Sequence, residues 1–248
     1  MKSIITAIIA ILSFSLSGQN YIMFTTVTMD PNPSKIKDLR LGLTEFKAKF
    51  HKDNTPYQAT IYRIINGPNS GKFVWLEGPQ KYADFDHYSD LGEGYCGQWE
   101  TKIEVNCASM GKIEYWKQWS QYSRSSQNPG SLVVVKYLNV NTKDKQGFRI
   151  NGLFEKMSKA IKSVDGDFSW GVYSNELEQG SYGRHFAIVT DYKSFQDMDD
   201  NINQFGQRSR IRQAFNKIYG EGSHQRFLDE WRDVFSNSYD EIQMVMDL

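Results

Sequence analysis

The residues of this chain that could do chemistry are four histidines (His51, His87, His185 and His224), two cysteines (Cys96 and Cys107) and the aromatics near them. His185 stands apart from the other three. It follows Arg184 and opens the apolar run Phe186-Ala187-Ile188-Val189, and the β-rich run before it carries Trp170 and Tyr173. In the first half of the chain Trp75 and Tyr62 occupy comparable runs. An imidazole among aromatics has the chemistry of a general base or an axial haem ligand, and a hydrogen-bonded interior or rim histidine needs the same surroundings. The other histidines point to structure. His51 lies between Lys49 and Lys52 and reads as a solvated helix end. His224 follows Gly220-Glu221-Gly222-Ser223, a helix start. His87 sits among Asp84, Asp86 and Asp90, but on a helix it points about 100° away from Asp86, and acidic residues are expected in a first turn. No metal site and no cofactor are expected.

Several familiar constellations are missing from the sequence. There is no glycine-rich phosphate loop and no G-x-S-x-G elbow, and Gly180-Ser181-Tyr182-Gly183 reads as a turn. Lys and Arg total 29, as do Asp and Glu, so the chain has no basic footprint for nucleic acid. The helical spacing of Tyr115, Trp119 and Tyr122 makes an aromatic stripe, with Trp116 beside it, that reads as core.

The elements that must position these residues occur twice. When Tyr21-Ile22-Met23-Phe24 is laid on Leu132-Val133-Val134-Val135, Leu39, Leu43, Phe46 and Phe50 fall on Ile150, Phe154, Met157 and Ile161. Each set defines one face of an amphipathic helix. Tyr57 and Ile61-Tyr62 then fall on Phe168 and Val172-Tyr173, and the turn at Asn66–Gly71 falls near Gly180-Ser181. With slight drift, Phe73–Leu76 matches Phe186–Val189, and Tyr115, Trp116 and Trp119 match Phe227, Leu228 and Trp231. This repeat is the size of a whole small domain. Each copy reads strand, helix, two hairpin strands, helix and closing strand, which is the ferredoxin-like order. In the second copy the closing strand is Glu241–Met246; in the first, little room is left for one between Trp119 and position 131.

This duplicated order resembles the dimeric α/β-barrel superfamily over almost the whole chain. The resemblance implies an α+β fold of two tandem ferredoxin-like units packed sheet to sheet as an intramolecular barrel. It also implies a lining that draws on His185, Arg184, Trp170, Tyr173, Trp75 and Tyr62. The group includes cofactor-free monooxygenases and haem-dependent enzymes, so the fold alone selects no function.

The N-terminus supplies an address. Lys2, the apolar run Ile4–Leu12 continuing to Phe14 and Leu16, and a small-residue exit at Ser15, Ser17 and Gly18 form an export signal. The run is short of the ~20 residues a bilayer span needs, so no stable membrane span is expected. The expected division is residues 1–18 as signal peptide, 19–128 as first unit and 129–248 as second, with a periplasmic or extracellular location. In an exported chain a lone cysteine pair is read as a disulfide, here Cys96–Cys107, closing the glycine-rich stretch from Leu91 to Met110 as a loop. A metal or redox pair is the alternative, although the spacing is not C-x-x-C. Without a catalytic constellation, the first functional expectation is a ligand-binding or interaction protein that takes a small apolar ligand or a protein partner. The second is a cofactor-independent or haem-linked monooxygenase. Export predicts that N-terminal sequencing of the secreted product begins at Gly18 or Gln19.

Overall fold

The computed structural model describes residues 21–52, 57–92, 94–141, 148–177, 184–202 and 206–248. The export segment 1–18, the Gly180–Gly183 turn and the side chain of His87 lie outside the described residues. Eight strands and six α-helices are found among those described. The first half runs β1 (Met23–Pro31), α1 (Ile36–Phe50), β2 (Ala59–Asn66), β3 (Phe73–Gln80), α2 (Tyr95–Lys102) and β4 (Cys107–Gln118). The second runs β5 (Leu132–Val140), α3 (Arg149–Lys162), β6 (Gly171–Asn175), β7 (Phe186–Tyr192), α4 (Phe195–Ile202), α5 (Gln207–Tyr219), α6 (Ser223–Val234) and β8 (Phe235–Val245). Both halves keep the expected β-α-β-β-α-β order. The antiparallel strand order is β1-β3-β2-β8-β5-β7-β6-β4, and β4 pairs with β1 to close the ladder.

By packing, one unit comprises the described residues up to Lys117 together with Glu241–Leu248, and the other comprises those in Gln118–Asp240. This grouping differs from a simple division at 128, because Trp119 and Tyr122 pack against the second core. Each unit has its own helix-side core. In the first, Leu39, Leu43, Phe46 and Phe50 of α1 meet Val27, Met29, Ile61, Phe73 and Trp75 of the sheet. Helix α2 closes tightly on α1 at Gly42, where a Cβ would stand 2.3 Å from the Lys102 carbonyl oxygen. In the second, Ile150, Phe154, Met157 and Ile161 of α3 meet Leu138, Val172 and Ile188. Both helix faces are those set by the sequence periodicity.

Two expectations are corrected. Residues 107–118 form a strand, not the helix read from the Tyr115–Trp119–Tyr122 stripe. A spacing of four is even, so it also suits the period-two alternation of a strand. The end of β4 alternates accordingly: Glu114, Trp116 and Gln118 are buried, whereas Tyr115 points the other way and meets Phe85 edge-on at 5.3 Å. This strand is the closing strand for which the first unit seemed to have no room. Cys96 and Cys107, in turn, are both free. Helix α2 and a short 3-10 turn (Glu104–Asn106) occupy the presumed loop, Cys96 is exposed on α2, and the Cys107 thiol donates to the Ile103 carbonyl at 3.3 Å. Burial, with smaller contributions from Glu104 and Asp30, raises the Cys107 thiol to about 11. Non-reduced, denatured protein should therefore titrate two thiols. In the native protein a maleimide should label Cys96 at least about tenfold faster than Cys107, whose thiolate is scarce.

Candidate functional site

Among the described residues the helices pack against one face of the second unit's sheet, and the residues with chemistry lie on the other. Strand alternation puts Leu138, Val172 and Ile188 in the helix-side core, so Tyr137, Asn139, Tyr173, Asn175, Ala187 and Val189 face away from it. The register aligns Tyr137 with Ala187 and Ala187 with Tyr173, forming one row across β5, β7 and β6. The next row brings Asn139 and Asn175 up beside His185, whose backbone carbonyl accepts the Asn175 N–H at 2.9 Å. An aromatic floor lies below. Tyr239 meets Tyr137 at 5.1 Å, the Arg184 guanidinium stacks on Tyr137 at 4.3 Å, and Gln118 reaches the Tyr173 hydroxyl at 3.5 Å.

Two atoms in the upper row are the informative ones. Asn139 Oδ1 and Asn175 Nδ2 are buried and have no hydrogen-bond partner within the protein among the described residues. Leaving a buried polar group without a partner costs about 1–3 kcal/mol, and folded proteins leave few of them. One is an acceptor and the other a donor, on strands flanking the same histidine. The Nδ1 of His185 accepts the Val140 backbone N–H at 3.0 Å, so in the neutral ring Nε2 carries the hydrogen. An axial haem ligand needs the opposite tautomer, with a free lone pair on Nε2. His185 as placed therefore does not fit a haem-ligand role.

Of the six lining residues expected from the sequence, the structure gathers His185, Arg184 and Tyr173 around this row. Trp170 is corrected to the opposite face, where it packs against the second helix-side core. Trp75 is likewise corrected: it lies in the first unit's helix-side core, while Tyr62, paired with Val74, faces the other way. The two asparagines gave no signal in the sequence, because an Asn at a strand end looks like ordinary turn chemistry.

A second cluster surrounds His51, which is not a solvated helix end. The helix stops at Phe50, and the turned backbone of His51 swings its ring inward until the residue is 1% exposed. Nδ1 donates to the Tyr57 carbonyl at 2.5 Å, and Nε2 accepts the Tyr95 hydroxyl at 3.2 Å. Glu77 Oε2 lies 3.6 Å from Nδ1, and Trp75 stands edge-on to the ring at 4.8 Å. Burial lowers the His51 pKa to about 4; the Tyr57 carbonyl opposes this and the Lys47 charge adds to it. Burial first, and then Glu77 and Cys96, raise the Tyr95 phenol well above its usual range. At neutral pH the pair is therefore an uncharged phenol bonded to an uncharged imidazole. Among the described residues no group of three or more His, Cys, Asp or Glu side chains is placed to hold a metal ion.

No protein-family model matches the chain, and neither does any curated protein. Solved structures do. The chain is similar to a candidate monooxygenase from Fusobacterium nucleatum subsp. nucleatum, at a TM-score of 0.56 and 7% identity, over 93% of this chain and 94% of that one. It is similar to an anthrone oxidase-like protein at a TM-score of 0.56 and 13% identity, over 94% of each chain. It is also similar to the chlorite dismutase of Candidatus Nitrospira defluvii, at a TM-score of 0.51 and 9% identity, over 91% of each. The likeness is one of fold: two ferredoxin-like units in one chain, as in the dimeric α/β barrels.

The His51 cluster carries a pH dependence whose sign is fixed. The unfolded chain takes up a proton near pH 6.5, whereas the folded one resists until about 4. Stability is therefore full above pH 6.5 and declines as the pH falls towards 4, by up to about 3 kcal/mol. Urea midpoints measured across this window should show that decline, and His51→Gln should flatten it by close to one proton.

Proposed function

We propose that this chain is an exported protein that binds a small, flat, largely apolar ligand against the Tyr137–Tyr173 face of the second unit. One observation carries the reading. A buried acceptor and a buried donor, Asn139 Oδ1 and Asn175 Nδ2, flank His185 above an aromatic floor. A ligand ring lying against Tyr173, beside the Arg184-capped ring of Tyr137, would exchange its hydration for aromatic contact. A single hydroxyl at its edge would then donate to Asn139 Oδ1 and accept from Asn175 Nδ2, with the Nε2–H of His185 as a further donor. Sites of this kind are mostly apolar, with a few polar groups that fix orientation.

Cofactor-independent oxygenation is the second reading. The fold likeness to a candidate monooxygenase and an anthrone oxidase-like protein favours it. An electron-rich phenolic ligand held in this way would be the substrate, with dioxygen as oxidant.

Titration with 1-naphthol, followed by its fluorescence, tests binding. Asn139→Val and Asn175→Val should each weaken it by about 5–30-fold, the equivalent of a lost buried hydrogen bond. Unchanged affinity in both variants would discard the site. An oxygen electrode separates the two readings: uptake with anthrone in the absence of any added cofactor marks an oxygenase, and binding without uptake marks a carrier.

A further inference from the structure

The cluster around His51 has no role in that reading and lies in the other unit. Its inner rings are closely packed: Phe46 is 0% exposed, Trp75 2% and Glu77 3%, with Tyr95 partly buried beside them. Electrons, unlike molecules, pass through packed rings.

We propose that Tyr95 is a redox-active tyrosine that loses one electron to become a neutral phenoxyl radical while its phenolic proton passes to Nε2 of His51. The geometry supplies each part of the step. The hydroxyl already points at Nε2, 3.2 Å away. The other ring nitrogen is anchored on the Tyr57 carbonyl, so the imidazole presents a lone pair to Tyr95 and not a hydrogen. The imidazolium that forms has the Glu77 carboxyl oxygen Oε2 3.6 Å from Nδ1, a polar neighbour in a setting where charge is otherwise costly.

The balance is simple. The O–H bond of Tyr95 breaks, an N–H bond forms at His51 Nε2, and one electron leaves for an external one-electron oxidant, such as an oxidised metal complex or a peroxyl radical. On reduction, the electron returns and the proton goes back to the phenolate oxygen. The two transfers are coupled because neither is accessible alone. Burial holds the phenol protonated, and an electron lost without the proton would leave a cationic ring in an apolar core. The low basicity of His51 makes the transfer reversible, because a buried imidazolium surrenders its proton readily.

Rings lead outward from the pair. Phe46 lies 5.0 Å from Tyr95 and 5.3 Å from Trp99, and Trp99 lies 5.5 Å from Trp75. Trp99 is only partly buried, and its indole N–H donates to the exposed Glu104 at 2.9 Å. With Tyr95 itself also partly buried, Trp99 offers an external oxidant a second ring near the surface from which to draw an electron.

The test uses the full chain with photogenerated tris(bipyridine)ruthenium(III), followed by transient absorption and electron paramagnetic resonance. Wild type should give a neutral phenoxyl radical that outlives those of the exposed tyrosines, and Tyr95→Phe should lose that persistent signal. His51→Gln keeps an acceptor for the hydroxyl but removes the base, and should slow radical formation about a hundredfold, the typical contribution of a positioned base. Trp99→Phe should slow formation while leaving the final spectrum unchanged. If Tyr95→Phe does not fold, 3-fluorotyrosine placed at position 95 should alter the hyperfine pattern of the persistent signal. The proposal falls if wild type shows no persistent phenoxyl radical. It falls equally if the signal survives in Tyr95→Phe, ignores fluorine at 95, or forms at the wild-type rate in His51→Gln.

Discussion

Each unit depends on one aromatic ring that the first helix presses into its sheet. In the first unit the ring is Phe46, in contact with Phe50, Trp75, Tyr95 and Trp99. In the second it is Phe154, which meets Trp119, Tyr122, Phe186, Trp231 and Phe235. Removing such a ring would cost about 3–5 kcal/mol, a large share of the stability of an ordinary domain. The ring also fixes the distance between helix and sheet, and with it the position of everything at the helix ends. In the first unit that distance is what lets His51, one residue past the helix, reach Tyr57, Glu77 and Tyr95. In the second the end of the helix is held by Arg124, whose guanidinium donates to the Ile161 and Val164 carbonyls and lies over Phe168. The two copies share a framework and have diverged in what they hold against it.

Much of the framework was legible in the residues. The faces Leu39-Leu43-Phe46-Phe50 and Ile150-Phe154-Met157-Ile161 follow from helical periodicity, and the final strand from its apolar alternation. The misread regions have identifiable causes. The stripe from Tyr115 to Tyr122 satisfies two periods at once, and β4 shows its alternation clearly only from Glu114 onward. Helix α2 is short, begins after Gly94 in a left-handed conformation and contains Gly97, so it carries the marks of a loop. The cysteine pair then looked like a staple for a loop that does not exist.

The candidate site was half visible. His185, Arg184 and Tyr173 could be singled out by type and position. Asn139 and Asn175 could not, because their interest lies in what they lack, and a missing partner has no sequence signature. His51 was hidden for a related reason. Its flanking lysines describe a wet helix end, and only the backbone turn after Phe50 reverses that. The proteins that share this fold differ in chemistry, so the side chains on the sheet, and not the architecture, must carry the argument for function.

The return of Glu241–Leu248 to the first unit sets an order in time. Residues that leave the ribosome only after the whole second unit supply a strand to the unit whose other strands emerged first. At roughly 5–20 residues per second, the N-terminal unit waits many seconds for its final strand, with the side of β2 that pairs with Met244 and Val245 uncovered in the interval. The second unit, by contrast, is complete at Asp240. The unit that comes earlier in the chain is therefore completed after the one that follows it.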